Sequence, residues 1–181
     1  MSHENDGLMS DIRKNLNRYL EMETLLNELF DVFDYCFEQC VKIELEKSGG
    51  KPVSACCKNK YYKLYDIDHP SFDLLKEERE KRFGTPHDYT WDDPVSPCEY
   101  HNPKTGCVLA TCKSPICLAF MCRESIDCLR ETYNIFGYDY LGMNYALEWI
   151  LTGDFSNDQY DELKNSIRDM ISTIETKKRG G

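Results

Sequence analysis

Apolar residues recur at intervals of three and four along the first part of the chain. Leu8, Ile12, Leu16, Tyr19 and Leu20 are followed by Leu25, Leu26, Leu29, Phe30 and Phe33, and the pattern runs on to Leu45. That is the period of a helix burying one face, and "KSGGKP" stops it, so one or two helices are predicted over 8–47. The same period returns late in the chain. Ser114 and Pro115 read as N-cap and first helical residue, ahead of "ICLAFMCRESIDCLRETYNIF" and a stop at Gly137. Further helices are expected over 139–152 and 157–176; Ser156 with Gln159 three residues on reads as a capping box, and "KKRGG" as a frayed tail.

Between these blocks the periodicity fails. Six of the seven prolines lie between Lys51 and Ser114, where the one helical signal is "SFDLLKEEREKRFG", opened by serine and closed by glycine like a surface helix. Irregular stretches of such length are uncommon in a compact domain unless something ties them down. The expected architecture is a mainly α, single domain over 1–181. Its helical blocks are 8–47 and 114–176, with a long irregular cysteine-rich region at 51–123 organised around a metal centre.

Composition narrows the function. The 181 residues include 22 basic and 32 acidic side chains, a formal charge of −10 that repels phosphate backbones and anionic lipid, so neither nucleic acid nor a membrane surface is an expected partner. The longest apolar run, "ICLAFMC", is far short of a membrane span, and "MSHENDGLMS" has no basic segment leading into an apolar one. A reducing cytoplasm is the expected compartment, and there clustered cysteines are more often metal-binding or catalytic than bridged.

Ten cysteines are present, five of them within "CEYHNPKTGCVLATCKSPICLAFMC" from Cys98 to Cys122. From Cys107 they fall five apart, at 112, 117 and 122. A step of five turns a helical side chain by roughly 140° and an odd step alternates faces on a strand, so packing does not set this spacing. Disulfides, metal ligation or a reactive thiol remain. A nucleophilic cysteine needs a base within reach, and the four scattered histidines give no local Cys/His signature; phosphate-loop, H-E-x-x-H and G-x-S-x-G motifs are also missing, so no catalytic residue is assigned. Cys117 is placed at the third position of its expected helix, where unpaired N–H groups and the helix dipole favour a thiolate. The stretch from Cys98 to Cys128 is formally neutral, Lys104, Lys113 and Arg123 balancing Glu99, Glu124 and Asp127. Basic groups there would offset the charge of ligating thiolates.

The adjacent pair Cys56–Cys57, then Cys98 with an aromatic two residues on, then "GCVLATCKSPICLAFMC" resembles the zinc- or iron-chelating domain family often called YkgJ-like. Cys107, Cys117 and Cys122 match the family's last three cysteines in order and interval, and Pro115 stands where its proline precedes a cysteine. Lys113 and Ser114 depart from the family's arginine before that proline, no cysteine lies three residues before the Cys56–Cys57 pair, and Cys112 is extra. The resemblance covers roughly 54–123 and implies Cys56, Cys57, Cys98, Cys107, Cys117 and Cys122 as metal ligands. Cys36 and Cys40, four apart on a helix, and His101, in a C-x2-H spacing with Cys98, are further candidates; Cys112 is open between ligand and core, and Cys128 reads as core. His69 and His87 have weaker claims, and His3 is expected in a disordered end. Thiolate-rich sites take iron–sulfur clusters or zinc. An adjacent pair, intervals of five and ten, and more thiols than one tetrahedral zinc uses favour the cluster, in a redox or enzyme-accessory role. The alternatives are a zinc-stapled structural or interaction module and a disulfide-stabilised secreted domain.

Overall fold

The computed structural model describes residues 2–47, 67–85, 98, 100–102 and 106–180. Cys56, Cys57, His87 and the stretches "YYKLYD" and "DYTWDDP" lie outside the described residues.

The first expected block is helical from nearer its start than the apolar pattern alone suggests. Helix α1 spans Ser2–Val32, so His3 falls in its first turn rather than in an irregular end. Its stripe, Ile12, Leu16, Tyr19, Met22, Leu26 and Leu29, is buried. After a break at Phe33 and Asp34 the chain makes a π-helical turn, Phe37–Val41, in which the Lys42 N–H donates to the Phe37 carbonyl; helix α2, Lys42–Lys47, follows.

Helix α3, Pro70–Phe83, is the "SFDLLKEEREKRF" segment. Its N-cap is His69, whose side chain accepts from the Ser71 N–H, and proline occupies the first helical position, where the missing N–H costs nothing. Gly84, at φ 75°, caps the other end. The helix is not confined to the surface, because Phe72, Leu75 and Arg79 are buried at helical spacing.

The longest departure concerns 114–137. Ser114 and Pro115 start a helix as expected, but α4 covers only Pro115–Ala119, and α5, Arg123–Tyr133, begins after three non-helical residues. The interruption has a visible cause. The Tyr138 hydroxyl, from the loop after α5, donates to the Ala119 carbonyl at 2.7 Å, which satisfies one of α4's terminal acceptors without another turn. Cys122 then serves as N-cap of α5, and Asn134 in the left-handed region closes that helix three residues before Gly137.

Helix α6, Tyr140–Thr152, is capped by Asp139, which accepts from the Leu141 and Gly142 N–H groups, and ends at Gly153, φ 90°. Helix α7, Asn157–Gly180, has the expected capping box: Ser156 N–H donates to the Gln159 side chain at 3.0 Å and Gln159 N–H to Ser156 Oγ at 3.2 Å. It continues through "KKRG" to Gly180, so the described tail is helical rather than frayed.

Helix α1 is the hub. It packs on α6, α7, α3 and α4; α6 also takes α4 on its flank, and α5 leans on α7. The main core runs from Leu16 to Ile174 and is built from Leu26, Leu29, Leu75, Leu118, Leu129, Leu147, Ile150 and Ile167 with their neighbours. Two short strands complete the described elements: β1, His101–Asn102, pairs antiparallel with β2, Gly106–Cys107. The described chain is therefore mainly helical, and no helix of the described residues is long and apolar enough to cross a membrane.

Candidate metal centre

The hairpin forms one wall of the candidate site. His101 pairs with Cys107 and Asn102 with Gly106, and the Val108 N–H donates to the Tyr100 carbonyl at 2.9 Å, so the chain segments holding Cys98 and Cys107 run side by side. Against them sits a second, smaller apolar cluster. Cys98, Tyr100 and Leu109 are buried in it, with Phe83 from the end of α3, Val108 and Cys117 from α4 packed around them. The Tyr100 hydroxyl donates to the Gly84 carbonyl at 3.2 Å and ties the hairpin to α3.

Two of the six expected ligands, Cys98 and Cys117, pack together in this cluster, and Cys107 lies on the adjoining strand β2. Cys98 and Cys107 both act on the Cys117 thiol, each disfavouring its negative form, and Cys98 acts likewise on Cys107. The expected thiolate character of Cys117 is reversed: burial, the largest influence, pushes its pKa up to about 11, and a bond from the Ser114 side chain opposes this only in part. A helix of five residues has too few aligned peptide dipoles to compete with desolvation. Cys107 is exposed as a residue, yet its thiol is also pushed up, chiefly by desolvation; a backbone hydrogen bond from Leu109 and the charge of Lys113 act the other way.

The other cysteines separate from this group. Cys122 stands at the start of α5, its Sγ 3.5 Å from Ser125 Oγ, which itself donates to the Cys122 carbonyl at 2.8 Å. Cys112 is fully buried and belongs to the main helical core, with its backbone at φ 58°. Cys128 packs against that core from the side, as expected, 3.6 Å from Thr132 Oγ1. Cys36 precedes the π-helical turn and lies near Tyr138, whose pKa burial and Cys36 both raise. Cys107, Cys112, Cys117, Cys122 and Cys128 stand as thiols rather than disulfides. Among the described residues no group of three or more His, Cys, Asp or Glu side chains is close enough to hold a metal ion.

The loop joining Cys107 to Cys117 is held by residues that the cysteine pattern does not reveal. Glu23 of α1, 1% exposed, accepts from Thr111 Oγ1 at 2.7 Å and from the Cys112 and Lys113 N–H groups at 2.8 and 3.0 Å. Tyr19 donates to the Lys113 carbonyl at 2.6 Å, and the buried Arg79 donates from Nε to the Cys112 carbonyl at 2.7 Å. The Arg79 guanidinium also lies over the Tyr100 ring, 5.9 Å from its centre, and its charge favours the thiolate forms of Cys107, Cys112 and Cys117. A signal for both was present in the sequence: Glu23 follows Tyr19 by four in the apolar stripe of α1, and Arg79 follows Leu75 by four in α3. A charge in the buried stripe of a helix requires a polar partner.

Comparison with known proteins returns no match, whether against protein families, curated proteins or solved structures.

Proposed function

We propose that this chain is a cysteine-ligated metal protein, carrying an iron–sulfur cluster in a redox or enzyme-accessory role. The supporting observation is the packing of Cys98 against Cys117 of α4 in one small cluster, with Cys107 on the adjoining strand of the hairpin. Burial holds the Cys107 and Cys117 thiols protonated, so metal binding would release their protons and the cation would supply the charge that offsets the buried thiolates. Arg79 beside them, and Lys113 beside Cys107, offset the excess negative charge that several thiolates would bring. The YkgJ-like spacing implies Cys56, Cys57 and Cys122 as further ligands, although Cys122, at the start of α5, stands apart from Cys98 and Cys117. A bound cluster would supply one-electron transfer; the chain's own residues hold the thiols, shield Cys98 and Cys117 from water and balance charge.

Anaerobic purification with visible absorption and elemental analysis tests the reading. Brown protein with iron and sulfide in stoichiometric amounts supports it. Colourless protein with bound zinc, unchanged by dithionite, replaces the cluster with a structural zinc site. Protein that takes up neither iron nor zinc overturns the metal reading.

A further inference from the structure

We propose that Glu23 is the positioning residue of this centre, fixing the loop between Cys107 and Cys117 and with it the placement of β2 and α4 that carry them; the inference rests on the metal reading above. Thr111 to Lys113 are anchored to α1 and α3 rather than to each other. One carboxylate takes the Thr111 hydroxyl and two consecutive backbone N–H groups, while Tyr19 and Arg79 take the two carbonyls that alternate with them. Lys113 Nζ adds a bond to Asn27 Oδ1 at 2.8 Å, again on α1. Consecutive N–H groups converge on one acceptor only if the backbone turns sharply between them, and here Cys112 adopts φ 58°, a left-handed conformation that a non-glycine residue keeps when its surroundings impose it. That turn joins β2, which carries Cys107, to α4, whose Cys117 packs in the small cluster. Glu23 touches neither thiol; it acts through the loop.

The test uses the full-length chain, Co(II) alone as probe, and the thiolate-to-cobalt absorption as readout. Glu23→Gln keeps the shape but presents an amide NH2 where a carboxylate oxygen accepted. The expected result is a Co(II) dissociation constant at least tenfold higher, with Thr111→Val, which removes one of the three bonds, shifted less in the same direction. Thr111→Val alone carries the test if Glu23→Gln fails to fold. A residue with a merely structural role would lower the stability of metal-free and loaded protein equally and leave the dissociation constant unchanged, and that result overturns the proposal. If the wild-type chain binds no metal, the metal reading falls and Glu23 is judged on metal-free protein by iodoacetamide labelling. Cys117 is then expected to react at least tenfold faster in Glu23→Gln than in wild type, with Cys128 unchanged, and equal rates at Cys117 overturn the positioning role.

Discussion

Single cysteines in this chain are distinguished by what surrounds them rather than by their spacing. Cys112 and Cys117 are five apart in one motif, yet the first is buried in the helical core and the second packs with Cys98 in the smaller cluster. Cys117→Ser is therefore expected to abolish stoichiometric metal binding, whereas Cys112→Ala retains it at a stability cost of about 1 kcal/mol, the typical effect of a core truncation this small. Elemental analysis beside chemical denaturation separates the two. The sequence placed Cys117 correctly at the third residue of a helix, but its protonation was not legible there, because burial is set by Tyr100 and Leu109, which the chain brings in from elsewhere. A more exposed group gives a pH prediction. Bonds from Lys164 and from the Tyr160 hydroxyl hold the Glu21 carboxyl below its usual value of 4.5. A carboxyl with a lower pKa folded than unfolded stabilises the protein above its unfolded pKa and loses that contribution as pH falls through the folded one. Wild type is thus expected to exceed Glu21→Gln in stability at pH 7 and to converge with it only once pH has fallen through the lowered carboxyl pKa, below 4.5, the gap staying under about 1 kcal/mol because Glu21 is largely solvated. Denaturant titrations at the two pH values measure it.

At the level of elements, boundaries announced by local side chains were readable and boundaries set by distant ones were not. The Ser156–Gln159 box and the Gly153 stop lie within the segments they delimit. Gly153 is constrained twice over: its φ of 90° disfavours other residues, and a Cβ there would come within 2.6 Å of Asn15 Nδ2 on α1. Gly153→Ala should cost about 1 to 2 kcal/mol from the left-handed backbone alone, seen as a lowered melting temperature. The split of 114–137 into α4 and α5 could not be read in the same way. Its periodicity is continuous, and the Tyr138 hydroxyl that takes the Ala119 carbonyl stands 19 residues further on. Tyr138→Phe should cost about 1 to 3 kcal/mol, the effect of stranding a buried acceptor, and thermal unfolding checks it.

Over the whole molecule, two apolar clusters of unequal size divide the tasks. The larger one joins α1, α3, α4, α5, α6 and α7 and was anticipated from the helical stripes; Leu147→Ala within it should cost 2 to 5 kcal/mol, roughly the range for emptying a packed leucine site. The smaller one, between the end of α3, the hairpin and the start of α4, has few apolar groups of its own. Stripping metal from it is expected to raise amide exchange selectively at residues 106–114 while α1, α6 and α7 keep their protection. Uniform protection across both would show that no metal orders this region. The cysteine spacing pointed to this second cluster but not to the α1 and α3 side chains that hold it. Their contacts bridge up to 94 positions of sequence, and no local pattern carries that distance.

The π-helical turn at Phe37–Val41 has a consequence for chain length. Such a turn holds one residue more than the α-helix would need, so it has the form of a tolerated insertion, and losing one residue is its natural reversal. Deleting Gln39 would let the backbone close as ordinary α-helix and swing α2 through about 100°. Among the described residues, the principal neighbour of α2 is the π turn itself, so the swing disturbs little packing. The deletion variant should fold with a melting temperature close to that of the full chain, and a variant that cannot be refolded would mean that the position of α2 matters to the fold. Homologues one residue shorter at this point are therefore compatible with the same architecture.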